Sequence, residues 1–170
     1  MHMNKILVAY ASKAGSTREV AEIVAKQLDE KGFKVDLLPA KKVKRINDYH
    51  GVVFGTAIRI TKPVGEGRRF AKKFGNQLQN MPAAVFSLGL AMKEDTPENR
   101  KQTEGFLAPI IEAINPFSVA MFGGKLDYET LSPMFRYVFS RDTSGQMVEG
   151  DWRNWDEIHE WTTSLAQHFS

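Results

Sequence analysis

The sequence contains no cysteine and only four histidines among its 170 residues. Without cysteine there are no disulfide bonds, no thiolate nucleophiles and no cysteine-ligated metal or iron–sulfur sites. The histidines lie at positions 2, 50, 159 and 168, without the spacing or the paired carboxylates of a zinc site. We therefore expect solvated histidines and no bound metal.

Long hydrophobic runs are also missing. No apolar stretch is long enough to span a bilayer, and the N-terminus lacks the apolar core of a signal peptide, which favours a cytoplasmic location. With 170 residues, 42% of them hydrophobic, and no linker rich in Gly, Ser or Pro, the chain has the size of one domain, residues 1–170. Residues 1–3 are expected to be disordered or an added leader, with Met3 as the natural start.

The chain has no large excess of charge of either sign, because its net charge is only +3. Basic residues cluster at Lys41, Lys42, Lys44 and Arg45, and no aromatic side chains are interleaved with them. Such a run is typical of a solvated loop face, so nucleic acid binding is not expected.

The first forty residues carry the clearest pattern. An apolar strand, KILVAYA, runs directly into a polar turn and then into a helix whose apolar stripe includes Val20, Val24 and Leu28. The turn comprises Ser12, Lys13, Ala14, Gly15, Ser16 and Thr17. Hydroxyls and amides meet there at the positive end of the helix dipole, which predicts a phosphate site. Alternatively, Ser16 and Glu19 form only a capping box.

This turn lacks both G-x-x-x-x-G-K-[ST] and G-x-G-x-x-G, which argues against a P-loop NTPase and a dinucleotide-binding fold. It instead resembles the first loop of flavodoxins, with the pattern of strand, aromatic, S/T-x-x-G-x-T and helix. The matching residues are Val8, Tyr10, Ser12, Gly15, Thr17 and Ala21. The resemblance implies that the phosphate belongs to FMN.

The rest of the chain alternates strands with helices. Further strands are predicted in FKVDLLP, GVVFGTAIR, AAVFSLGLA and FSVAMFGG. This alternation predicts an α/β fold, because parallel neighbours need a crossover helix between them. Five strands fit a flavodoxin-like three-layer sandwich with a parallel sheet in the order 2-1-3-4-5 and helices on both faces. In that order, which the doubly wound folds including flavodoxin exemplify, the ligand lies beyond the carboxyl ends of the strands.

Two further loops are therefore expected to border the flavin ring. After the third strand come Thr56, Ala57, Ile58 and Arg59, and after the fourth come Ser87, Leu88, Gly89, Leu90 and Ala91. Their small residues leave a slot for a flat ring, and their amides face its polar edge. Arg59 has two interpretations, either a surface arginine or a group that holds a substrate carboxylate.

The chain also resembles the narrower flavodoxin-like family that includes menaquinone-dependent protoporphyrinogen dehydrogenase. The matching stretches are GVVFGTAIR, FAKKFGNQLQNMPAAVFSLGLA, FGGKLDY and GDWRNWDEI. The resemblance implies FMN chemistry, a family arginine at Arg59, and residues 125–128 beside the flavin edge.

Three functions follow as hypotheses. The first is an FMN oxidoreductase, with a quinone, a redox protein or a small planar substrate as partner, and with protoporphyrinogen IX oxidation as an alternative. The second is an electron carrier without a substrate pocket, and the third is a phosphate-binding module that has lost the flavin. The apolar segment 131–139 is expected to be core, with a dimer, quinone or peripheral membrane contact as alternatives.

Overall fold

The computed structural model describes residues 4–141 and 148–170. The expectation for residues 1–3 therefore lies outside the described residues, as does the part of the 131–151 segment that spans residues 142–147.

Strands and helices alternate along the chain. The strands are β1 (Lys5–Ala11), β2 (Lys34–Pro39), β3 (Gly51–Arg59), β4 (Lys62–Pro63), β5 (Ala83–Gly89), β6 (Ser118–Gly123), β7 (Lys125–Leu126) and β8 (Gly150–Asp151). The helices are α1 (Ser16–Glu30), α2 (Gly65–Leu78), α3 (Pro97–Ile114), α4 (Pro133–Ser140) and α5 (Trp155–Phe169).

The central sheet has the predicted topology. Its parallel strands follow the order β2-β1-β3-β5-β6, which is the predicted 2-1-3-4-5 once the short β4 is set aside. The strands are in tight register, with Val53 of β3 beside Val8 of β1 and Phe54 of β3 beside Val85 of β5. Two short antiparallel pairings were not predicted, β4 on β3 and β7 on β8, because two-residue strands leave no periodic signal.

Helices cover both faces of this sheet, as predicted. On one face α2 and α3 bury Phe70, Phe74 and Leu107 against β3 and β5. On the other face α1 and α5 bury a second cluster that includes Val24 and Leu165. Because both faces are covered, the strands read as continuous apolar runs instead of alternating ones.

The start of α1 differs from the capping-box interpretation. Gly15 is the N-cap, with φ +90°, and no side chain caps the helix. Ser16 is already the first helical residue, and the Glu19 carboxylate pairs with Arg153 instead of reaching back to the turn. The helix therefore begins one residue earlier than a Ser16 cap requires.

The loop predicted after the third strand is in fact a hairpin. Strand β3 continues through Ala57 and Ile58 to Arg59, and the chain turns back at Ile60 to form β4. Ile60 has φ +59° and is 62% exposed. A β-branched residue in the left-handed region is strained, so the turn holds an unfavourable backbone conformation.

The segment 131–139 is only partly core. Leu131 is buried, but α4 leaves Met134, Tyr137 and Val138 exposed. The prediction of ordinary core is therefore wrong for these three side chains, because this helix does not pack its whole apolar surface on the sheet.

Candidate functional site

A cavity of about 520 Å³ lies at the carboxyl ends of β1, β3, β5 and β6. This is the edge at which ligands bind in open α/β sheets. All three predicted loops contribute to its wall. The predicted residues that line it are Ser12, Lys13, Ala14, Ser16, Ala57, Ile58, Arg59, Leu88, Gly89, Leu90 and Ala91.

Four of the predicted residues lie behind this wall. Gly15 closes the turn, while Thr17, Thr56 and Ser87 are fully buried. Thr56 also faces α2, because a Cβ at Gly67 would collide with its hydroxyl. Spacing along the sequence located these residues near the edge of the sheet, but it did not indicate which side chains point into the cavity.

The turn after β1 presents several hydrogen-bond donors. Glu19 is the first residue of α1 whose amide reaches a carbonyl of this turn, donating to Gly15 O at 3.1 Å. The amides of Ser16, Thr17 and Arg18 therefore precede the helical hydrogen bonds and point out of the helix end. Gly15 N donates to Ser12 Oγ at 3.0 Å, which orients the serine and leaves its own hydroxyl proton available.

Two buried hydroxyls have no hydrogen-bond partner among the described residues, those of Thr17 and Ser87. A buried hydroxyl without a partner costs about 1–3 kcal/mol, so such groups usually mark a missing ligand or water. The Thr17 hydroxyl belongs to the first turn of α1, directly after the polar turn that follows β1.

Several lining residues were not singled out from the sequence. They come from the loop after β5 and from α3, and they are Lys93, Glu94, Asn99, Gln102, Thr103 and Phe106. Phe106 lies half-buried at the cavity wall. The packing of α3 beside β5 brings Asn99, Gln102, Thr103 and Phe106 to the site, whereas Lys93 and Glu94 lie just beyond the predicted loop after β5. Lys125 and Leu126, which the family resemblance implied, also line it.

The cavity wall is electropositive. Lys13, Arg59, Lys93 and Lys125 line it, and Glu94 is the one carboxylate among the lining residues that the structure describes. Arg59 is half-buried, and this burial lowers the pKa of its guanidinium. The wall therefore favours anionic ligands.

The side chain of Arg153 donates hydrogen bonds to two residues in the first turn of α1. Its side chain is 4% exposed and donates to Ser16 O at 3.3 Å, to Glu19 Oε2 at 3.0 Å and to both carboxylate oxygens of Asp151. The hydrogen bond to Asp151 raises the pKa of Arg153 and lowers that of Asp151. The sequence analysis assigned no role to Arg153, although the carboxylate of Asp151 two residues earlier could have indicated an ion pair.

The Flavodoxin domain family matches residues 7–141, which include the whole turn after β1 and the β3–β4 hairpin. The chain belongs to this family. The cofactor is FMN, and the residues present fit it: the turn offers amides and hydroxyls for a phosphate, an orphaned threonine hydroxyl lies beside them, and the adjoining cavity includes apolar side chains such as Ile58 and Leu90 that a flat ring can contact.

Curated proteins are similar to this chain in sequence, and solved structures share its fold. The chain is 26% identical over 162 residues to a protein named protoporphyrinogen IX dehydrogenase [quinone] from Escherichia coli K12, covering 87% of this chain and 88% of that protein. A cysteine-to-serine mutant of the flavodoxin from Pseudomonas aeruginosa has 14% identity and a TM-score of 0.60, with 97% and 98% of the chains covered.

Longer proteins contain the same fold. The rubredoxin oxygen:oxidoreductase of Desulfovibrio gigas has 14% identity and a TM-score of 0.63 over 98% of this chain. The chain spans only 36% of that protein, and the likeness shows a shared fold alone.

Within residues 4–141 and 148–170, no helix has the length and hydropathy needed to cross a membrane. The same ranges contain no cluster of three or more His, Asp or Glu side chains placed to hold a metal ion.

Proposed function

We propose that this flavodoxin-family protein is an oxidoreductase that passes electrons from a flat organic substrate to a quinone or a redox protein. The observation that carries the proposal is the open cavity beside the phosphate-binding turn. Among its described lining residues Phe106 is the only aromatic, and it lies on α3 instead of on the three loops. No ring from those loops covers the slot, which leaves room for a second planar molecule.

The chain's own residues have defined tasks in this proposal. The amides of Ser16 and Thr17, together with the Ser12 hydroxyl, hold the phosphate of FMN. Ile58 and Leu90 cover the ring on its apolar side and exclude water. FMN, when bound, accepts a hydride or single electrons and passes them on.

The cations at the cavity wall attract and stabilise negative charge. Arg59, Lys93 and Lys125 favour negative charge in the cavity, so they attract anionic substrates and stabilise electron density that arrives there. No side-chain acid or base is required for these tasks. The chain positions the reactants and excludes solvent.

A second candidate function is the oxidation of protoporphyrinogen IX. The E. coli relatives carry that substrate in their name and match this chain over most of both lengths. Acidic side chains on such a macrocycle would also suit the electropositive wall.

We also propose a cytoplasmic location for the protein, and cell fractionation tests it.

Reoxidation kinetics test the first proposal. The FMN-loaded protein is reduced anaerobically with dithionite and mixed with menadione, and the return of the flavin colour is followed by stopped flow. We expect reoxidation that saturates with menadione and is faster than that of free FMN. Reoxidation no faster than free FMN, or a colourless protein that does not take up added FMN, would contradict the proposal.

The second candidate has a separate readout. Protoporphyrinogen IX is supplied anaerobically with menadione, and porphyrin fluorescence reports oxidation. Fluorescence that rises no faster than in the protein-free control would exclude this substrate. Porphyrin fluorescence at the control level, in protein whose dithionite-reduced flavin still reduces menadione, would support a quinone-linked oxidoreductase with another donor.

A further inference from the structure

A second cavity of about 480 Å³ opens beside the first one and shares Lys13, Arg59 and Ile60 with it. It lies between the β3–β4 hairpin and the start of α2, so it is next to the flavin slot but outside it. The side groups of a molecule stacked in the slot would therefore lie close to this second space.

The lining of the second cavity is strongly basic. Lys13, Arg59, Lys62 and Arg68 all contribute to it, and no described lining residue is acidic. Glu66 lies nearby, but its carboxylate pairs with Lys13 at 3.6 Å. Among the described residues, no ion pair joins Lys62 or Arg68 to a carboxylate.

The hairpin brings two of these cations together at a cost. Arg59 and Lys62 are direct cross-strand partners, so their side chains lie on the same face of the ladder. Like charges that face each other in this way destabilise a hairpin. The strained backbone of Ile60 lies in the turn between them, and strain of this kind gathers at ligand sites.

The start of α2 adds to the positive potential. Gly67 and Arg68 are the residues whose amides donate to Val64 O, so the amides of Gly65 and Glu66 precede the helical hydrogen bonds. Two guanidinium groups lie near Gly65, with Nη1 of Arg69 3.1 Å and Nη2 of Arg68 3.6 Å from the position that a Cβ would occupy there. A side chain on Gly65 would narrow this space.

We propose that this second cavity is an anion subsite that binds the carboxylate side groups of the planar substrate whose ring lies in the flavin slot. This inference rests on the proposed oxidoreductase function and names its substrate class, a planar molecule with carboxylate arms. Lys62 and Arg68 are the residues that supply the selectivity for charge, because they line the second cavity without lining the first.

Binding of protoporphyrin IX, a planar dicarboxylate, tests the subsite without any turnover. The FMN-loaded protein is titrated with it, and fluorescence anisotropy of the porphyrin reports binding. The variants are Lys62→Gln, Arg68→Gln and the double variant. The matched control is Lys72→Gln, which removes the same charge from an exposed position of α2 that lines neither cavity.

We expect each single variant to weaken binding by about 3- to 10-fold and the double variant by about 10- to 100-fold, as for one and two partly exposed charge-assisted contacts. Lys72→Gln should bind as the wild type does. Porphyrin dimethyl ester, which lacks the two charges, should bind the wild type and the double variant equally. Added salt should weaken the wild type more than the double variant.

Equal porphyrin affinity in the wild type and the double variant would overturn the subsite, and so would a wild type that binds no porphyrin. A loss in Lys72→Gln as large as in the other variants would overturn it too, because it would show a general charge effect. Menadione reduction by the wild type is a separate measurement. The wild type could fail to reduce menadione while the double variant still shows weaker porphyrin binding. In that case the oxidoreductase proposal is wrong, but the second cavity remains a subsite for carboxylates.

Discussion

Replacing Thr17 with valine should change stability and cofactor affinity in opposite directions. The hydroxyl is fully buried in the first turn of α1 and has no partner among the described residues. Such a group costs about 1–3 kcal/mol, whereas valine has the same shape and nearly the same helix propensity. Without FMN, Thr17→Val should therefore stabilise the protein by about 1–2 kcal/mol. This corresponds to a rise in Tm of about 2–8 °C for a chain of this size.

With FMN the sign reverses if the hydroxyl is a phosphate ligand. Loss of one hydrogen bond to a charged group costs about 1.5–3 kcal/mol, which raises the Kd by about 10- to 150-fold. Calorimetry of the apoprotein and fluorescence titration with FMN measure the two effects on the same preparation. A stabilised variant with unchanged FMN affinity would refute the assignment of Thr17 to the phosphate site.

Thr162→Val provides the matched control. Thr162 is equally buried in a helix, but its hydroxyl donates to Ile158 O at 2.8 Å and lies on α5, away from the cavity. We expect no gain in stability and no change in FMN affinity from this substitution. An FMN effect as large as that of Thr17→Val would mean that affinity follows general packing instead of a hydroxyl at the phosphate.

Three further predictions concern stability. The folded-state pKa of Asp151 is lowered, mainly by its hydrogen bond from Arg153. Its stabilisation is therefore present above the unfolded pKa of about 3.9 and is lost as the pH falls through the lower folded value. Asp151→Asn should flatten the decline of Tm between about pH 5 and 2; an unchanged slope would contradict this. Ile60→Asn should relieve the left-handed strain and raise stability by about 1 kcal/mol, whereas Ile60→Val should not; urea unfolding distinguishes them, and equal values would speak against strain. Gly67→Ala should cost about 1–3 kcal/mol because its Cβ overlaps a side chain of β3, but Gly105→Ala, with open space around it, should stabilise α3 by about 0.5–1 kcal/mol. Thermal melts giving both alanines the same sign would contradict this.

The fold was predictable because its signals are local and repeated. The apolar run Val52–Val53–Phe54 and the helical spacing of Phe70 and Phe74 can be recognised from neighbouring residues alone, and these side chains are buried in the structure. The cap of α3 is equally local: Thr96 Oγ1 accepts from Asn99 N at 3.1 Å, with Pro97 at the first helical position. The start of α1 was less predictable, since Gly15 is the N-cap and not Ser16, which the alternative interpretation of the turn had placed there.

The candidate site was predicted only in part. The turn after β1 was predicted as part of the site from its hydroxyls and glycine, and it does lie at the cavity wall. Phe106 and Arg153 were missed because they come from segments that are distant in sequence from the predicted loops, whereas Lys93 lies only two residues beyond the predicted Ala91. The hairpin that pairs Arg59 with Lys62 was missed because a two-residue strand has no periodicity.

The sequence by itself determined the order of strands and helices and the polar turn after β1, since periodic burial and local turn chemistry depend on neighbouring residues. The tertiary structure decided which hydroxyls face the cavity and which lie behind it, and it brought the cations of β3, β4, α2 and the turn after β1 around a second cavity. The physical reason is that the direction of a side chain, and the charges it meets, depend on packing between segments that are distant along the chain.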